Sequence, residues 1–270
     1  MSFPVAMIPF VNMAPYRELG TPEGCRFVSC IPSKSIEALL KGDVIAAAVP
    51  VGGLPKLKQV VTCLGSFGIA AKQKSLSVLF FSNRPFESIK APLKIFVTDK
   101  SASSVRLLYL LFGYKHGFDC LPYQTKNIKN ACGELIIGDK ALVKSLKLHC
   151  NEDKISSDNK RIYITDLATK WYVKNKLPFV FARWVIRKDA PCKVRKAIES
   201  WLAKFKNNEP ELVKRAVLKA ARTINVSPKD IYKYFQAIRR TLDDEDLKGQ
   251  ELFLSEVGKK VKEPLFVLKE

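Results

Sequence analysis

An asparagine stands where an apolar run stops. Residues Phe3 to Val11 include Val5, Ile8, Phe10 and Val11, and the run ends at Asn12, followed by Met13, Ala14 and Pro15. Such a run, closed by a proline turn, reads as a buried strand that delivers Asn12 to a sheet edge. There the amide either caps the turn or faces a ligand beyond the carboxyl end of the strand. Ser77 poses the same choice inside the apolar stretch Ser75 to Ser82. Its hydroxyl either bonds a neighbouring carbonyl or faces a cleft. Ser101, Ser103 and Ser104 precede an apolar helix expected over Val105 to Tyr114. Unpaired backbone N–H groups at such a start suit a carboxylate, although plain capping needs only one of the three serines. Gly138 and Asp139 occupy another strand-to-helix turn, where glycine permits close backbone approach. Ser33 is the expected N-cap of a helix carrying Ile36, Leu39 and Leu40 and ending at Gly42.

The rest of the composition narrows the chemistry. With only two histidines, His116 and His149, a His dyad or a multi-His metal site is a poor reading. Seven scattered cysteines without a C-x-x-C pair argue against a disulfide framework or zinc, so no metal or cofactor is expected. The 46 Lys and Arg against 26 Asp and Glu leave a net charge of +20, which suits an anionic small molecule, nucleic acid or an anionic membrane. The basic residues are spread along the chain and rich in lysine, as on a solvated surface, and no zinc-finger spacing or RNA-binding aromatic strand accompanies them. Nucleic acid and membrane are therefore not expected as partners. No stretch reaches the ~20 apolar residues that cross a bilayer, and the amino terminus lacks a secretory pattern, so the protein reads as cytoplasmic.

The elements that must hold these groups follow a βα order. Strands are expected over Cys25 to Cys30 and Asp43 to Val49 on either side of the first helix, then over Val60 to Ala71 and Ser75 to Ser82. The pattern restarts at Leu93 and runs through a strand at Glu134 to Ile137, a helix at Lys140 to Leu148, and a helix capped by Asp166. An aromatic strand, Phe179 to Ile186, returns to the first unit, and four amphipathic helices follow, over 194–205, 209–223, 228–238 and 243–261. The expected lobes are residues 1–88 with 178–270, and 89–177, with a ligand-closing cleft between them and the helical tail covering the first.

At this point the motifs resemble a known family. Pro9-Phe10-Val11-Asn12, Ile31-Pro32-Ser33, Ser77 to Ser82, Ser101 to Ser104, Leu135 to Asp139, and Asp166-Leu167 through Trp171 to Leu177-Pro178-Phe179-Val180-Phe181-Ala182 are similar, in that order, to the chorismate dehydratases of the futalosine route to menaquinone. The resemblance spans nearly the whole chain through Arg187. It departs in having Pro9-Phe10-Val11 for a Ser-Tyr-Leu type run, and Met13 after the asparagine. It implies an α/β, two-lobe fold like the type II periplasmic binding proteins, used in the cytoplasm by a hydro-lyase. That enzyme removes water from the dianion chorismate to give 3-[(1-carboxyvinyl)oxy]benzoate. The resemblance places the catalytic residues at Asn12 and Ser77 and the carboxylate contacts around Ser101, Ser103 and Ser104, with Ser33, Gly138 and Asp139 also on the substrate side. Two alternatives stay open on the same fold. One is a non-catalytic binder of small anions. The other is the related enzyme forming 1,4-dihydroxy-6-naphthoate, whose catalytic histidine neither His116 nor His149 is placed to supply.

Overall fold

The computed structural model describes residues 2–97, 102–125, 127–149 and 161–261. The first strand is shorter than its apolar run: β1 covers Phe3–Met7, after which Val11–Met13 form a 3-10 turn leading into α1, Ala14–Glu18. Pro9 lacks the N–H a ladder needs, so the chain leaves the sheet there and Asn12 lies on the turn, not at the strand end. Next come β2 (Cys25–Ser29), α2 (Pro32–Lys41), β3 (Ala46–Pro50), α3 (Leu54–Leu57) and the long β4 (Val61–Ala71). The middle of the chain forms β5 (Val78–Ser82), β6 (Lys94–Val97), α4 (Ala102–His116), β7 (Tyr123–Gln124), β8 (Gly133–Ile137), α5 (Asp139–His149), β9 (Tyr163–Asp166) and α6 (Leu167–Asn175). The remainder is β10 (Phe179–Arg187), α7 (Cys192–Ile224), α8 (Pro228–Ala237), β11 (Arg239–Thr241) and α9 (Asp244–Lys260).

Two sheets result. The larger has the order β11-β4-β10-β3-β1-β2, the smaller β7-β6-β8-β5-β9. Strand β1 is parallel to both β2 and β3, as the βα order requires, while β10 returns antiparallel between β3 and β4. One expectation shifts. The Ser77-bearing strand pairs with β8 and β9, so the crossing between sheets falls between Ala71 and Val78, ahead of the boundary expected at residue 88. The cause is that β5 is buried at every position, and the centre of the smaller sheet offers cover on both faces.

The tail also differs from expectation. Helices expected over 194–205 and 209–223 are one helix, α7, which runs through Pro210. Trp201, Leu202 and Phe205 before the proline, and Leu212, Val213 and Ala216 after it, all enter the same core, and this shared burial outweighs the ~3 kcal/mol that an interior proline costs. In that core Tyr16 stacks on Phe205 with ring centroids 3.9 Å apart and meets Trp184 edge-on at 5.5 Å. Nor does the tail cover the first unit alone: Phe253 of α9 packs edge-on against Phe179 and Trp171 in the second core. The short β11 was not expected. Its three residues are too few for a period of two to show.

Candidate functional site

The turn that carries Asn12 is held by three charged side chains from distant parts of the chain. Arg17 donates to the carbonyls of Ile8 and Phe10, both at 2.9 Å. Arg240, wholly buried on β11, donates from Nε to the Asn12 carbonyl at 3.2 Å. Asp139, the first residue of α5, accepts the Val11 N–H at 3.0 Å. Arg240 also donates to the Phe235 and Ile238 carbonyls and pairs with Glu209 at 3.3 Å, which offsets the cost of burying its charge. An irregular turn of this kind has no ladder of its own, so its polar groups are satisfied by side chains.

Ser77 is positioned by an equally local device. Leu76 has φ +58°, in the left-handed region that a β-branched or bulky residue avoids at a cost of roughly 1–2 kcal/mol. The Asp166 carboxylate holds it there. It accepts the N–H groups of Ser75 and Leu76, both at 2.8 Å, and the Ser75 hydroxyl at 3.1 Å, while capping α6 through the Ala168 and Thr169 N–H groups. Burial pushes the Asp166 carboxyl above the ordinary carboxylate range, and these donors oppose the push. The strained turn points Ser77 off the start of β5, where its hydroxyl accepts a 2.9 Å hydrogen bond from Tyr234 of α8.

Asn12 and Ser77 line one cavity, together with Phe10, Ser104, Gly138, Phe181 and Ile238 among others. Its walls come from both sheets and from the helical tail. The volume is about 60 Å3, the share of about two waters in the liquid. Among the described residues no charged side chain lines it. Polarity comes instead from Asn12, Ser77, Ser104 and the starts of α2, α4 and α5, whose amino termini favour negative charge.

The remaining expected site residues divide. Ser104 and Gly138 line the cavity. Gly138 has φ +68°, and a Cβ there would lie 2.8 Å from the Phe10 ring, so the close approach it allows is that of a side chain from the other sheet. Asp139 acts on the Val11 N–H and is not among the lining residues. Ser103 is buried and doubly engaged: its oxygen accepts the Gly52 N–H at 3.0 Å and its hydroxyl donates to the Phe181 carbonyl at 3.2 Å, so it ties elements together and has no hydrogen left for a ligand. Ser33 is not the N-cap of α2. Ile31 takes that position and Pro32 the first helical one, and the cavity is lined by Pro32. Proline suits the first helical position because its missing N–H is not needed there. Ser101 lies outside the described residues.

Two residues of the site carried no signal in the sequence. Tyr234 sits in an ordinary amphipathic helix pattern, and Arg240 in a run of tail charges. The wholly buried Tyr234 phenol is raised far above its ordinary range by burial. His116 stacks on Phe112 at the end of α4, away from the cavity. Among the described residues no three His, Cys, Asp or Glu side chains come close enough to hold a metal ion, and no helix is long and apolar enough to cross a membrane.

The comparisons with known proteins agree with this architecture. A family model described as menaquinone biosynthesis matches residues 3–259. The chorismate dehydratase of Thermus thermophilus is 25% identical over 260 residues, covering 92% of this chain and 93% of that protein. Among solved structures, protein AF1704 from Archaeoglobus fulgidus superposes with a TM-score of 0.68 at 13% identity, covering 96% of this chain and 97% of that one. The periplasmic aliphatic sulphonate binding protein SsuA of Escherichia coli superposes with a TM-score of 0.63 at 12% identity, covering 100% of this chain and 94% of that one. The fold is thus that of the periplasmic binding proteins, in two lobes with a cleft and a helical carboxyl-terminal segment.

Proposed function

The chain belongs to the menaquinone biosynthesis family, and we propose that its reaction there is the removal of water from chorismate to give 3-[(1-carboxyvinyl)oxy]benzoate. The observation that carries the reading is the joint presence of Asn12 and Ser77 on one cavity, in a chain similar along 92% of its length to the Thermus chorismate dehydratase. The six described cysteines are all free, in keeping with work in the cytoplasm.

Chorismate loses the C3 proton and the C4 hydroxyl. The C–H electron pair becomes the new ring double bond, hydroxide leaves, and proton and hydroxide unite as water. Aromatisation supplies the driving force, so orientation and exclusion of water are the main demands on the protein. Among the described residues neither a carboxylate nor a histidine lines the cavity, and an amide is a poor base. The proton therefore passes to the substrate's own enolpyruvyl carboxylate. Asn12 and Ser77 hold the C3–H and C4–OH region, and Ser104 with the helix starts holds a carboxylate. The reading as the naphthoate-forming enzyme is weaker, because no histidine is among the described lining residues.

Incubation of the full-length protein with chorismate, followed by chromatography of the aromatic product, tests the reading. Asn12→Ala is expected to lower kcat by about 100-fold or more with an unchanged melting temperature. Saturable chorismate binding by the wild type without product would replace the enzyme by a small-anion binding protein.

A further inference from the structure

We propose that Tyr234, on the helical tail, sets the donor and acceptor polarity of the Asn12 and Ser77 pair, so that a ligand in the cavity meets one amide acceptor and one hydroxyl donor. The proposal deepens the dehydratase reading and rests on it for its kinetic test.

Tyr234 is fully buried, and its hydroxyl lies 2.9 Å from Ser77 Oγ as donor. The Asn12 side-chain amide lies against the same hydroxyl, whose single hydrogen is already given to Ser77. A phenol has one hydrogen to give and lone pairs to receive, so it receives from Asn12 and gives to Ser77. Two consequences follow. With its nitrogen turned to Tyr234, Asn12 leaves Oδ1 on the other side, and this atom is buried with no partner among the described residues. Ser77, having accepted from Tyr234, keeps its own hydrogen, whose protein acceptor is the Ser75 carbonyl at a long 3.3 Å. A ligand oxygen at ordinary distance outcompetes that contact. Arg240 fixes the Asn12 carbonyl from behind, so the side chain turns about a held backbone.

Tyr234 is not among the lining residues, so it is a positioning residue, acting through Ser77 and Asn12. Without its hydroxyl the amide is free to flip and Ser77 to turn a lone pair to the cavity. The same pocket would then present mismatched polarity to the leaving hydroxyl while still admitting the substrate.

The test is Tyr234→Phe in the full-length chain, with chorismate. The expected result is a fall in kcat of about 10- to 100-fold with KM changed by less than about threefold. In a Ser77→Ala background, the same substitution should cost clearly less than it does alone, because one of the two groups it acts through is gone. Wild-type kcat in Tyr234→Phe, or fully additive losses in the double variant, would overturn the proposal. A readout independent of turnover is the side-chain amide signal of Asn12 in protein labelled with 15N asparagine. Its hydrogens should exchange at least about tenfold faster in Tyr234→Phe than in wild type, and equal exchange would overturn the polarity assignment. If the wild type makes no product but the amide responds as stated, the dehydratase reading fails and the polarity assignment stands.

Discussion

Two junctions in the smaller sheet are built alike and do different things. Strand β9 passes into α6 at Asp166, and β8 passes into α5 at Gly138 and Asp139. Each aspartate sits at a helix start and grips backbone N–H groups from far along the chain. Asp166 takes five donors, all from Ser75, Leu76 and its own helix, within a single unit of the fold. Asp139 takes the Val11 N–H, which belongs to the turn leaving the larger sheet. The first junction is part of how a lobe is built. The second joins the turn leaving the larger sheet to a helix of the smaller one. Asp166 gathers its backbone donors from Ser75, Leu76 and its own helix, whereas Asp139 reaches the turn that carries Asn12.

The comparison can be broken by substitution. The largest effect is expected at Asp166. Asp166→Ala strands two buried N–H groups and frees Leu76 from its left-handed conformation, at a cost of about 3–5 kcal/mol, read as a fall of roughly 10 °C in melting temperature. A fall no greater than that of Asp139→Ala would remove the distinction between the junctions. Gly138→Ala comes next. A Cβ 2.8 Å from the Phe10 ring, at φ +68°, should cost about 2 kcal/mol and push Phe10 into the cavity, weakening ligand binding as measured by calorimetry. Asp139→Ala should cost only about 1 kcal/mol of stability, yet weaken ligand affinity by roughly tenfold, because the contact holds the turn that carries Asn12. Unchanged affinity would show that Asp139 is scaffold as well.

The smallest effect sharpens the comparison through pH. The raised Asp166 carboxyl means that the folded protein binds more protons than the unfolded chain between the unfolded pKa, about 3.9, and the higher folded value. Stability from this group therefore falls as pH rises through that window. The advantage of wild type over Asp166→Asn in denaturant melts should be larger near pH 4 than at pH 7, and a constant difference would contradict the burial argument.

Much of this site was legible. Asn12 after an apolar run, Ser77 within one, and Gly138 at a strand-to-helix turn all line the cavity, because polar or small residues interrupting buried runs need a partner or a ligand. Ser103 shows the limit of that reading. It has the same residue type and the same helix start as Ser104, yet its hydroxyl is consumed by Gly52 and Phe181, whose position depends on how β10 returns. Leu76 gave no warning of its positive φ, since leucine has no preference for it and the strain is imposed by Asp166.

The sequence alone determined what short range can encode. Its apolar periods marked most of the strands and helices, its scarcity of histidine removed a class of chemistry, and its ordered motifs pointed to the family. The tertiary structure decided which groups meet. Asp139 reaches Val11 across 128 residues, Tyr234 reaches Ser77 across 157, and Arg240 reaches Asn12 across 228. Contacts at such separations are fixed by the packing of the two sheets on each other and of the tail against them. Local pattern carries no record of that packing, because a buried tyrosine and a surface one obey the same helical period.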